Sequence, residues 1–218
     1  MRSALALLAL ALFLALLGGC GDTSSEAGAA CEDVEAPEPR DPGTRAAPTA
    51  GLDPATTFTM TFETNCGSFA VTLDQSLAPR TSASLVALAK DGYFDDTLFH
   101  RVVRRFVIQG GDPTQSGGGG PGYSTVDVPP TGAKYTKGVV AMAKTATDAP
   151  GTAGSQFFVV TGEDAQLPPE YAIVGEVTEG MDTVERIDAL GAEGEAGEPV
   201  SGPPTEPVVI ERVTVSEG

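Results

Sequence analysis

From Thr57 onward the chain alternates. Phe58, Met60 and Phe62 are separated by Thr59 and Thr61. After the turn residues Thr64-Asn65-Cys66-Gly67, Phe69, Val71 and Leu73 repeat the pattern. A period of two marks half-buried strands, and the pair reads as a hairpin. At Pro79 the period changes. Leu85, Val86, Leu88 and Ala89 share a helical face, Pro79 suits a first turn and Gly92 a position past the end, which predicts a helix over Pro79–Lys90. Two short apolar runs follow, Leu98–Val103 and Phe106–Ile108, split by an exposed turn at Arg104-Arg105 and closed by Gly110-Gly111-Asp112. Strict alternation puts Phe99, Arg101 and Val103 on one face and His100 and Val102 on the other. It also gives Phe106 and Ile108 a common face and turns Gln109 away from Ile108. Further strands are expected at Val139–Ala143, Gln156–Thr161, Ala172–Val177 and Val208–Val215, the last imperfect around Arg212. Val184, Ile187, Asp188 and Leu190 predict a second helix over Met181–Leu190. The count is about eight strands and two helices, a mainly β domain.

The first 55 residues break this pattern. Met1-Arg2 is a short basic start and Ala4–Leu17 an unbroken apolar run, too short and too terminal for a spanning helix. An uncleaved membrane anchor is the alternative reading. Leu17-Gly18-Gly19-Cys20 is similar to the bacterial lipobox, in which the cysteine is lipidated and becomes the new amino terminus. That similarity implies a signal peptide over 1–19, a lipid anchor on Cys20 and an extracytoplasmic domain held at the cell membrane. Residues 20–55 are rich in Ala, Pro, Glu, Thr and Gly, and with few large apolar side chains they are expected to be a disordered tether. The folded domain is assigned to 56–218.

Charge narrows the partners. Against 13 Lys and Arg stand 30 Asp and Glu, a formal net charge of −17. So acidic a chain lacks the basic clusters that nucleic-acid backbones require. One histidine excludes histidine-based metal sites. The glycine-rich stretch Ser116–Tyr123 is followed by no Gly-Lys-Ser/Thr and no helix pattern, so it reads as a surface loop rather than a phosphate cradle. Cys31 and Cys66 are the two cysteines besides Cys20. In an oxidising compartment they are expected to form a disulfide joining the tether to the first hairpin turn, with two independent thiols as the alternative.

Four motifs stand in order: Phe99-His100-Arg101 with Phe106-Val107-Ile108-Gln109-Gly110-Gly111-Asp112, then Met142-Ala143, Gly154-Ser155-Gln156-Phe157-Phe158, and Leu167–Gly175. Together they closely resemble the cyclophilins, the cyclosporin-binding class of peptidyl-prolyl cis-trans isomerases, over roughly Thr57 to Ser216. The resemblance implies a closed eight-stranded antiparallel β-barrel capped by two α-helices. It implies isomerisation of X-Pro bonds in secreted or envelope polypeptides, with no cofactor and no metal. A monomer is expected. The alternative is a non-catalytic holdase that keeps the pocket but turns over poorly. A two-lobed solute-binding lipoprotein would need a second lobe that about 160 folded residues do not supply.

The reaction crosses a barrier of about 18–20 kcal/mol set by amide resonance. It needs no nucleophile. A donor aimed at the prolyl nitrogen favours the twisted state, in which the nitrogen lone pair is localised. Arg101, always charged and carrying its donors in a rigid fork, is the candidate catalytic residue. By family match Phe106, Val107, Phe158 and Leu167 would form the proline pocket, and Gln109 and Gln156 would bond the substrate backbone and orient Arg101. Ala143 and Lys144 would receive the residues before the proline, by main-chain contact, since most members have Asn at Lys144. Tyr171 stands where many members have His. Gln166 stands where cyclosporin-sensitive members have Trp, which implies weaker binding of that drug. His100 reads as a structural donor.

Overall fold

The computed structural model describes residues 30–218, so the apolar run, the lipobox and Cys20 lie outside the described residues. Strands β1 (Phe58–Thr64) and β2 (Gly67–Leu73) form the expected hairpin, Phe62 opposite Phe69. Helix α1 (Pro79–Lys90) has the expected bounds. No side chain of its own caps its start. Instead the Asp127 carboxylate accepts from the Thr81 amide at 2.7 Å and the Thr81 hydroxyl at 2.7 Å, which supplies the acceptor that a first turn lacks. Next come β3 (Thr97–Leu98), β4 (Arg101–Val103), β5 (Val107–Gly110), β6 (Thr125–Val126), β7 (Val139–Met142), β8 (Thr152–Ala153), β9 (Phe157–Val160) and β10 (Ile173–Glu179). Helix α2 (Met181–Ala189) and β11 (Val209–Glu217) complete the domain.

Nine strands form one antiparallel sheet in the order β3-β11-β1-β2-β10-β7-β9-β5-β4, and β6 pairs with β8 separately. The expected closed eight-stranded barrel is therefore corrected to a curled half-barrel. Its edge strands β3 and β4 follow one another in the chain, but among the described residues no ladder joins them. Two and three residues are too few to close a seam, and Phe99-His100 break the strand between them. Among the described residues no helix is long and apolar enough to cross a membrane.

The concave face of the sheet and the two helices enclose the main core. Phe157 sits at its centre, with Phe62 at 5.1 Å, Phe94 at 6.1 Å and Phe99 at 6.0 Å between ring centroids. Alternation then leaves a second, smaller apolar cluster on the other face of the sheet: Val107, Tyr135, Ala141, Phe158 and Val160.

Residues 30–55 contain no helix or strand, yet they depart from the expected free tether. Cys31 and Cys66 are joined by a disulfide. The Glu32 amide donates to the Asn65 carbonyl at 2.7 Å, and Leu52 packs against the core. Composition predicted no packing here because so few large apolar residues are present. The segment is held by a covalent link and by polar contacts instead.

Candidate active site

One transverse row of the sheet builds the site. In register across five strands stand Arg101 (β4), Gln109 (β5), Phe158 (β9), Ala141 (β7) and Ile173 (β10). Residues paired across antiparallel strands point to the same face. The row thus aligns a guanidinium, an amide and an aromatic ring over the smaller cluster. Each strand's alternate residues, Ile108, Phe157, Val140 and Met142, face the main core and anchor the row from behind.

Beyond the row the wall is completed by loops. The β4–β5 turn carries Arg105 at φ +60 and sets Phe106 beside Val107. Helix α2 pins that turn: the Asp188 carboxylate accepts from the Arg105 amide at 3.0 Å and from the Thr161 hydroxyl at 2.6 Å. The result is a cavity of about 310 Å³ lined by Arg101, Phe106, Val107, Gln109, Ala143, Lys144, Phe158, Leu167 and Tyr171. Nine of the ten residues expected at the site meet there. The tenth, Gln156, lines an adjoining cavity of about 200 Å³ that shares Gln109, Ala143 and Lys144 with the first. Gln166 is exposed, at φ +51, and lines neither.

A chain of side-chain amides fixes the guanidinium. Arg101 Nη1 donates to Gln109 Oε1 at 3.0 Å, Gln109 Nε2 to Gln156 Oε1 at 3.0 Å, and Gln156 Nε2 to the Gly119 carbonyl at 3.0 Å. Arg101 Nε donates to Ser201 Oγ at 2.8 Å. Among the described residues Nη2 has no acceptor. Burial lowers the Arg101 pKa from its ordinary value while the Tyr171 phenol opposes this, and a guanidinium stays charged at neutral pH. A half-buried cation with its Nη2 free beside an apolar recess can polarise a bound amide more strongly than a solvated one could.

Lys144 is occupied differently. Its side chain is 3% exposed, ion-paired with Glu170 at 3.1 Å and 5.4 Å over the Tyr171 ring. It forms wall rather than free charge. Tyr171 is held by Tyr135, whose hydroxyl donates to the Tyr171 carbonyl at 2.8 Å and accepts from its amide at 3.0 Å.

Two site residues escaped the sequence reading. Ser201 lies in a Pro- and Gly-rich stretch with no periodicity, and no local signal marks it. Tyr135, a lone aromatic between Gly132 and Gly138, offered a weak one. Two faces were also misassigned. Phe99 is in the main core with Val102, opposite to Arg101, because the chain leaves the sheet at Phe99-His100. Phe106 belongs to the turn and packs with Val107 rather than Ile108.

The site is an apolar cavity of about 310 Å³ rimmed by one oriented guanidinium and two side-chain amides. Comparison with known proteins gives the class its name. Residues 59–215 match the family model described as cyclophilin type peptidyl-prolyl cis-trans isomerase/CLD. The chain is 38% identical over 174 residues to a probable peptidyl-prolyl cis-trans isomerase A of Mycobacterium leprae, covering 72% of this chain and 92% of that protein. It is 37% identical over 181 residues to peptidyl-prolyl cis-trans isomerase A of Mycobacterium tuberculosis, covering 75% and 94%. A crystal structure of a cyclophilin type isomerase from Cryptosporidium parvum superposes with a TM-score of 0.63 at 29% identity, covering 74% of this chain and 99% of that one. The same protein crystallised in the presence of the dipeptide Ala-Pro gives a TM-score of 0.62. The chain belongs to the cyclophilin-type peptidyl-prolyl cis-trans isomerases, and X-Pro isomerisation is its activity.

Proposed function

We propose that Arg101 is the catalytic residue and that the domain acts on proline-containing polypeptides outside the cytoplasm, anchored through a lipidated Cys20. The observation that carries the first part is the guanidinium held by Gln109 and Ser201 at the rim of an apolar cavity of about 310 Å³. The proline ring seats on Phe106, Val107, Phe158 and Leu167. The Ala143–Lys144 main chain receives the preceding residues, and Gln109 and Gln156 bind the substrate backbone. As the X-Pro bond twists, conjugation is lost and the nitrogen becomes a better acceptor. The free Arg101 donor binds it then and not in either planar state, so the interaction lowers the barrier. No bond is made or broken. A protease-coupled assay on a proline tetrapeptide tests this reading: wild type accelerates isomerisation and Arg101→Ala does so far more weakly. Full activity in Arg101→Ala would overturn it.

The second part rests on Leu17-Gly18-Gly19-Cys20 behind Ala4–Leu17. Mass spectrometry of the mature chain should find a diacylated amino terminus at Cys20, with Cys20→Ala unprocessed or mislocalised. An unmodified mature terminus downstream of Cys20 would sink it.

A further inference from the structure

Residues 37–45 lie across both ends of the glycine-rich loop whose Gly119 carbonyl anchors the amide chain to Arg101. At the loop's start the Arg40 amide donates to the Pro113 carbonyl at 3.0 Å, and Gln115 Nε2 donates to the Pro37 carbonyl at 2.7 Å. At its end the Arg45 amide donates to the Pro121 carbonyl at 2.9 Å. Gly122, at φ +86, lies against Thr44, where a β-carbon would stand 3.1 Å from the threonine methyl. The segment is itself bolted to the domain. Arg40 Nη2 reaches the carbonyls of Tyr93 at 2.5 Å and Asp95 at 2.8 Å. Arg45 pairs with Asp91 at 2.8 Å and covers the Tyr93 ring at 4.7 Å. The Tyr93 hydroxyl is in turn 3.2 Å from that of Ser155, the neighbour of Gln156.

Between its ends the loop is gathered by Asp112. This carboxylate accepts from the Thr114 amide and hydroxyl and from the Gly117 and Gly119 amides, at 2.7 to 3.0 Å. A β-carbon at Gly119 would overlap Asp112 and Thr114. So close a cradle leaves the Gly119 carbonyl one direction, toward Gln156. The loop's own sequence, with Gly117 to Gly120 in a row, disfavours any single conformation. Something outside it must hold its ends.

We infer that residues 37–45 are a positioning strap for catalysis: Arg40 and Arg45 hold the glycine-rich loop, the loop fixes Gln156, and Gln156 with Gln109 fixes Arg101. The strap is a positioning element because none of residues 37–45 lines the cavity of Arg101 or that of Gln156. This rests on Arg101 being the catalytic group.

The test uses the full chain with Arg40→Ala and Arg45→Ala combined, assayed well below its unfolding midpoint. The expected result is a fall of roughly three- to tenfold in kcat/KM, with less than about twofold change in Kd for a prolyl peptide. The side-chain amide resonances of Gln156 and Gln109 should shift. Arg40→Lys should retain most activity, because the carbonyls converge on one nitrogen and an ammonium can meet them. Lys90→Ala, which breaks an exposed ion pair with Glu217 elsewhere, should change nothing. Full turnover with unmoved Gln156 resonances in the double variant overturns the inference. If Arg101→Ala itself keeps full activity, the reading of Arg101 fails, and the Gln156 resonances alone then decide whether the strap positions the loop.

Discussion

Arg101 acts only in the direction its neighbours allow. A hydrogen bond to a charged group contributes about 1.5–3 kcal/mol, and each ~1.4 kcal/mol is about tenfold in rate. Arg101→Ala should therefore cost roughly tenfold to a hundredfold in kcat/KM, with peptide binding falling less. Arg101→Lys keeps the charge and loses the fork, so it should also be impaired. Ser201→Ala should lower kcat/KM by a smaller factor, and Ser201→Thr, which restores an acceptor, should recover it; equal rates for all three side chains would remove Ser201 from the machinery. Behind the row, His100 has both ring nitrogens buried. Burial lowers its pKa, against the attraction of Asp112. The unfolded chain, with an ordinary value near ~6.5, then binds the proton more readily. Stability should fall as pH drops through about 6.5, at most about 1.4 kcal/mol per pH unit for one proton, and level off below the folded value. Urea titrations across pH should show this slope, and His100→Gln should flatten it. The motif residues were legible because their types and order are distinctive. Ser201 was not, because it reaches Arg101 from 100 residues away, and sequence carries no trace of that contact.

At the scale of elements, periodicity located whatever was long enough to show a period. The β1–β2 hairpin and α1 were readable because seven-residue alternation and a twelve-residue helical face rise above chance. Strands β3, β6 and β8 were not, being two residues each and defined wholly by partners distant in sequence. The open seam was missed for the same reason, since closure depends on those edges. Residues 30–55 were misread because composition measures what a segment can bury and not what it can bond. The disulfide tests that segment's energetic weight. Cys31 and Cys66 enclose a separation of 35 residues, worth roughly 4 kcal/mol if the unfolded chain loses the corresponding loop entropy. Arg186 of α2 donates to the Cys66 carbonyl, so the turn is anchored even without the bridge. Cys31→Ser combined with Cys66→Ser should thus lower the unfolding free energy by up to about 4 kcal/mol while leaving the sheet intact by circular dichroism. An unchanged denaturation midpoint would mean that the bridge constrains nothing that the unfolded chain samples.

Over the whole molecule, charge is the property that local geometry does not set. The formal net charge is −17, and the cations nearest the cavity are largely committed: Lys144 to Glu170, Arg104 to Glu193 at 2.8 Å. From the net charge, an approaching polypeptide is expected to meet a negative field. Such a field raises the local concentration of cationic chains and depletes anionic ones. The proline pocket is apolar and indifferent to flanking charge, so discrimination should arise outside it, in the encounter. Of two tetrapeptides with the same central X-Pro bond, the one flanked by Lys should therefore show the higher kcat/KM at about 0.01 M salt, where the screening length is about 30 Å. At about 0.15 M the length falls to about 8 Å, and the ratio should shrink toward one. The turnover number at saturation should differ little between the peptides, since the X-Pro bond presented to the site is the same in both. A preference that survived high salt would instead place a specific acceptor for the lysine beside the cavity, with Glu170 the first residue to substitute. Equal values at low salt would show that the field does not reach the site.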